Sequence, residues 1–108
     1  METRTVLDAR RFSPEKLQKV NLFATKDLFL DVYCLEPGQQ QKVHTHAGSS
    51  KFYIVMEGHG SFQVGGETRS LGPGQAVLAP AGETHGVENR TDDRLVLLVG
   101  IAPPPEHG

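Results

Sequence analysis

Apolar and polar residues alternate along this chain in short runs, and no long stretch carries helical periodicity. The segment Asp27–Leu35 alternates well enough for a strand and ends at the turn pair Pro37-Gly38. Further runs predict strands at Gln41–His46, Lys51–Glu57, Ser61–Val64, Glu67–Leu71, Gln75–Ala79, His85–Glu88 and Leu95–Ile101. Turn chemistry separates them: Gly48-Ser49-Ser50, Gly58-His59-Gly60, Gly65-Gly66, Gly72-Pro73-Gly74, Pro80-Ala81-Gly82 and Asn89-Arg90-Thr91-Asp92. Gly65-Gly66 fits a two-residue hairpin that needs positive φ. Eight short strands with regular turns predict an all-β sandwich or small barrel. Ahead of them, Ser13-Pro14-Glu15 has the chemistry of a helix start, with Ser as N-cap and Pro at the first helical position. The expectation for residues 1–27 is therefore a short helix or irregular segment. The Pro-rich end, from residue 102 to Gly108, is expected to be extended and loosely held.

Length and composition narrow this further. The 108 residues suit one domain, with a barrel core at about 28–101. Gly 12 and Pro 7 exceed average usage, which speaks for turns and against a helix bundle. A formal net charge of −2 gives no footprint for nucleic acid. No apolar run approaches a membrane span, and the N-terminus lacks the apolar region of a signal peptide. One cysteine, Cys34, fits a reducing compartment, so a cytoplasmic location is expected; its thiol reads as a small buried hydrophobe.

The candidate chemistry lies in histidines. His44 and His46 are two apart on a predicted strand, so both project to one face about 6–7 Å apart, within joint reach of one ion. An H-x-H pair alone is weak evidence. His85 follows the tight turn Pro80-Ala81-Gly82-Glu83-Thr84 and strengthens it. His59, in a turn, and His107, in the tail, read as solvated.

The full spacing runs Gly38, five residues, His44, Thr45, His46, four residues, Lys51, six residues, Gly58. After fifteen residues it resumes: Gly74, five residues, Pro80, Ala81, Gly82, two residues, His85, three residues, Asn89. This resembles the two motifs of the cupin superfamily, as found in small single-domain members. Nine of ten specified positions match; the departure is Lys51, where the family usually has glutamate. The resemblance implies a double-stranded β-helix, or jelly-roll barrel, with a metal inside it. It implies His44, His46 and His85 as the three histidine ligands, and Gly58, Gly74, Pro80, Gly82 and Asn89 as positions that shape the backbone.

Lys51 complicates that implication. An ammonium about 6 Å from a divalent ion would be repelled by roughly 5 kcal/mol at an effective dielectric near 20. Relief comes from a lowered lysine pKa, from a side chain bent to the barrel mouth, from a neutralising anion, or from a pocket that holds no metal. Imidazole suits zinc, copper, iron and nickel alike. The set therefore names one divalent ion (iron, zinc, manganese or nickel) without choosing.

Strand phase carries the reading outward from the histidines. If Lys51 points inward, so do Tyr53 and Val55, while Phe52, Ile54 and Met56 face the other way. In the same phase Lys42 joins His44 and His46. Two lysines and a tyrosine around a metal favour a small anionic ligand, a carboxylate or enolate, with Lys51 and Tyr53 orienting or polarising it. A β-bulge would overturn that phase. Residues 95–99 have no polar face, so that strand is expected to be covered on both sides. A homodimer packed sheet against sheet would supply the cover, as the family resemblance also implies. Functionally, the resemblance implies a metal-dependent oxygenase by likeness to three-histidine cupins. A non-enzymatic ligand-binding module and a sugar or keto-acid isomerase or lyase stay open beside it.

Overall fold

The computed structural model describes residues 1–105. Nine strands form two antiparallel sheets. In chain order they are β1 Gln18–Ala24, β2 Phe29–Leu35, β3 Gln40–Thr45, β4 Ser50–Glu57 and β5 Gly60–Val64. They continue as β6 Glu67–Leu71, β7 Ala76–Ala79, β8 Thr84–Glu88 and β9 Leu95–Ala102. One sheet has the order β1-β2-β9-β4-β7 and the other β3-β8-β5-β6. The two faces enclose a core of Tyr33, Leu35, Tyr53, Val55, Phe62, Leu71, Val87, Leu95, Leu97 and Val99. This is the jelly-roll barrel expected, with the strands from β2 onward within two residues of their predicted bounds.

The N-terminal segment departs from expectation. No helix starts at Ser13: the Ser13 hydroxyl accepts the Glu15 backbone N–H at 3.2 Å across a bend. With β1 beginning at Gln18, only residues 14–17 remain, room for no more than a single turn. A short 3₁₀ turn lies earlier, at Val6–Ala9. This segment has a packing role: Val6, Leu7 and Phe12 cover a cluster of Leu22, Val32, Cys34 and Val96 on the outer face of the five-stranded sheet. The chain thus covers Val96 without a second copy. Cys34 is fully buried there, and burial raises its thiol pKa, as a structural cysteine requires.

A second departure sets the shape of the site. Register along β3 and β8 shifts between Gln41, opposite Val87, and His44, opposite His85. Two residues on β3 here face one on β8, a β-bulge. Gly86 is the residue that allows it: a Cβ there would lie 2.8 Å from the Gln41 carbonyl oxygen and 2.9 Å from the Val43 nitrogen. The bulge puts Gln41 on the inner face with His44. Lys42 is turned out to solvent and does not join the histidines.

The four family-motif glycines Gly38, Gly58, Gly74 and Gly82 all have φ between 81° and 85°, a region L side chains rarely adopt. Asn89 is fully buried and its amide is saturated. It donates to the Leu35 and Asp93 carbonyls at 3.1 and 2.8 Å and accepts from the Thr91 N–H and hydroxyl. Both observations fit backbone shaping. At the C-terminal end, Ser49 donates to the Pro103 carbonyl at 2.6 Å and Pro105 is half-buried, so residues 103–105 are held against the barrel. The rest of the predicted loose tail, with His107, lies outside the described residues.

Candidate metal centre

His44 and His46 come from β3 and its end, and His85 from β8. Ring centres of His44 lie 4.8 Å from His46 and 4.4 Å from His85. One nitrogen from each ring falls within 4.8 Å of the others. The three histidines named from sequence therefore meet in one place.

The orientation of His44 and His85 is set by backbone carbonyls. His44 Nδ1 lies 2.9 Å from the Lys42 carbonyl oxygen and His85 Nδ1 lies 3.1 Å from that of Glu83. A ring nitrogen facing a carbonyl must carry the proton, which leaves Nε2 of each neutral ring with a free lone pair. His44 Nε2 and His46 Nε2 approach to 3.2 Å. His85 Nε2 is buried with no hydrogen-bond partner among the described residues. A buried acceptor left so costs about 1–3 kcal/mol. A lone pair held in that position beside two other imidazoles fits a cation, so the residues present suit the metal the family implies.

Protonation favours the same use. Burial lowers the pKa of all three rings, His85 to about 4; Lys51 adds to the effect at each, and neighbouring histidines add to it at His46 and His85. All three are neutral near pH 7, the form that ligates metal.

Lys51 and Tyr53 sit beside this cluster on β4, both pointing inward as strand phase required. Lys51 is 2% exposed and Tyr53 fully buried, whereas Phe52 is exposed. Of the ways to relieve Lys51, burial operates: it pushes the ammonium down to about 7, aided by the charge of Lys19 and opposed by Asp31. The side chain does not bend out to solvent. Its Nζ lies 3.3 Å from Gln41 Oε1 and 5.1 Å from each ring centre of Tyr33 and Tyr53. Tyr53 donates its hydroxyl to the same Gln41 oxygen at 2.8 Å. Burial raises both phenols, Tyr33 to about 12.

A cavity of about 470 Å³ opens in front of His44 and His46, with Lys51, Tyr33 and Gln41 in its wall. The second lysine there is Lys19, from β1, in place of the expected Lys42; its Nζ lies 5.1 Å from the Tyr33 ring centre. Asp31 is the acid in the wall, accepting from Asn21 at 2.8 Å. Sequence reading misses Gln41, Tyr33, Lys19 and Asp31. Alternation along β2 carries a signal for Asp31 and Tyr33, which share a face with the buried Leu35. Nothing in the sequence announces Gln41, because the bulge sets its direction.

Two sheets closed over an apolar core, with an H-x-H pair and a third histidine converging inside, define a small jelly-roll protein with a candidate metal centre. The chain belongs to the cupin domain family, whose pattern matches residues 31–101. It is 34% identical over 83 residues to a tetracenomycin polyketide synthase protein of Streptomyces glaucescens, covering 74% of this chain and 56% of that one. An uncharacterized protein of Streptomyces coelicolor is 30% identical over 79 residues, 73% of each chain. Among solved structures, a protein of Thermus thermophilus superposes with a TM-score of 0.95 at 44% identity, covering 97% of this chain and 100% of that one. No helix among the described residues is long and apolar enough to cross a membrane.

Proposed function

We propose that this chain binds one divalent metal ion through His44, His46 and His85 and holds a small anionic, oxygen-bearing ligand beside it. The observation that carries the reading is the buried, partnerless His85 Nε2 set against two further imidazoles. A bound divalent cation would supply a Lewis acid that polarises a ligand oxygen. The chain's own side chains do the rest. Lys19 draws a carboxylate or enolate into the cavity, Gln41 steers the Lys51 amine toward it, and Tyr33 and Tyr53 shield that amine from water. Oxygenases, isomerases and lyases of small acids all meet that description, and the ligand that co-purifies separates them.

The test is elemental analysis of protein made in metal-replete medium, with mass spectrometry of released small molecules. Zinc and nickel titrations of wild type and His85→Ala accompany it. About one ion per chain, lost in the variant, is the expected result. Equal binding by both proteins, or none by wild type, overturns the reading.

We also propose, as part of this reading, that the chain is a single cytoplasmic domain that works as a homodimer. Support for the dimer is the apolar outer face around Leu28, Phe52 and Leu78, which are 42%, 37% and 59% exposed. Sedimentation of wild type against Leu78→Asp tests it: a dimer that dissociates in the variant is expected, and a wild-type monomer overturns it.

A further inference from the structure

We propose that Lys51 captures carbonyl compounds: its side-chain amine forms an imine with a small 2-oxo acid that enters the cavity. The proposal rests on the reading above for where the ligand sits, and it names that ligand's chemical class.

Three features of the Lys51 surroundings point to a nucleophilic amine. The residue is 2% exposed yet lines the cavity of about 470 Å³. Among the described residues no carboxylate lies within ion-pair distance of it. Its polar neighbour is the neutral Gln41 oxygen at 3.3 Å, which directs the nitrogen and favours its ammonium form less than a carboxylate would. The charged and titratable groups around it are Lys19, Asp31, Tyr33 and Tyr53, together with His44, His46 and His85, which feel its charge. A lysine that is both desolvated and next to another cation is the arrangement that frees an amine near neutral pH. The lowered Lys51 pKa agrees with this geometry. Lys16, Lys26 and Lys42 also lack an ion pair among the described residues, but all three are exposed and so are not desolvated.

The chemistry balances without a further reagent. The neutral amine adds to the carbonyl carbon, forming the C–N bond, and the carbonyl oxygen takes up a proton. The resulting carbinolamine expels that oxygen as water while the C=N bond forms. Overall, ammonium and carbonyl give iminium and water, with no redox change. Lys19, across the cavity on β1, is placed for the carboxylate of the captured acid, which is why a 2-oxo acid is favoured over a neutral ketone.

The experiment treats chelator-washed wild-type protein with pyruvate, or with methyl pyruvate, in the presence of cyanoborohydride. Intact mass and peptide mapping then locate the trapped adduct. Near neutral pH we expect one adduct, on Lys51, formed roughly tenfold faster than on Lys26. Lys19→Ala should slow trapping of pyruvate and leave methyl pyruvate unchanged. Labelling spread over the exposed lysines with Lys51 unmodified overturns the proposal. Equal trapping of both probes overturns its choice of an acid. Since the site is read in the wild-type protein, no Lys51 variant has to fold. Metal titration of the same sample keeps the two readings apart. Metal bound with Lys51 inert sinks only the imine, and Lys51 labelled in a protein that binds no metal sinks only the metal centre.

Discussion

His44 and His85 are direct cross-strand partners on β3 and β8, with ring centres 4.4 Å apart. The register of one strand pair therefore assembles two thirds of the candidate centre, and the H-x-H spacing supplies His46. A slip of one residue would send one imidazole to the far face. The Gln41 bulge lies immediately beside this pair, so the same irregularity that places Gln41 also fixes the histidine register.

Metal binding should stabilise the fold by mass action. At a free zinc concentration of a hundred dissociation constants the gain is about 2.7 kcal/mol. Thermal unfolding with and without zinc checks it: wild type is expected to shift upward and His85→Ala to show no comparable shift.

Gln41 accepts both the Tyr53 hydroxyl and the Lys51 amine in a buried position. Gln41→Leu should destabilise the protein by about 1–3 kcal/mol, because Tyr53 loses its acceptor. Adding Tyr53→Phe removes the orphaned hydroxyl, so the double variant should be less destabilised than the sum of the single ones. Urea unfolding of the four proteins measures this coupling.

Stability of the chelator-treated protein should rise between pH 7 and pH 10.5 through Lys51. Its folded pKa of about 7 lies below the ordinary value of 10.5, so in that window the unfolded chain binds more protons. Stability then increases with pH, and the contribution is complete above the unfolded value. The span is roughly 3 kcal/mol after allowance for residual solvation. Lys51→Met removes this slope. The excess stability of the variant over wild type should be largest below pH 7 and shrink toward pH 10, as read by denaturant midpoints.

Gly38 and Gly58 share a left-handed backbone, with φ of 85° and 81°, but differ in space. A Cβ on Gly38 meets nothing within 4 Å, whereas one on Gly58 would collide with the Arg94 carbonyl. Gly38→Ala should cost about 1 kcal/mol of backbone strain. Gly58→Ala should cost at least about 2 kcal/mol more, since backbone must also move. Thermal unfolding of both variants decides it.

Much of this is legible in sequence where the strands are regular. Lys51, Tyr53 and Val55 point inward because β4 keeps its register as far as Val55. Alternation misplaces Lys42 because one extra residue in β3 reverses the phase, and alternation is blind to bulges. β1 escapes the pattern for a different reason. Its cavity-facing residues, Lys19 and Asn21, are polar because they line the site, and a further irregularity follows between Asn21 and Phe23. A strand whose cavity-facing side is polar looks like loop to any hydrophobicity pattern. The cover over Val96 is invisible to the strand pattern because it comes from Val6, Leu7 and Phe12, outside the barrel core.

β1 stands at the edge of the five-stranded sheet, paired on one side only, to β2. The wall that carries Lys19 is thus held from one side only, and it can peel back while the β9 and β4 pairing stays intact. A ligand held in this cavity would then exchange by edge fraying as much as through the mouth. Occupancy should register as slowed amide hydrogen exchange along residues 18–24, a tempo set by backbone hydrogen bonds some distance from the histidines.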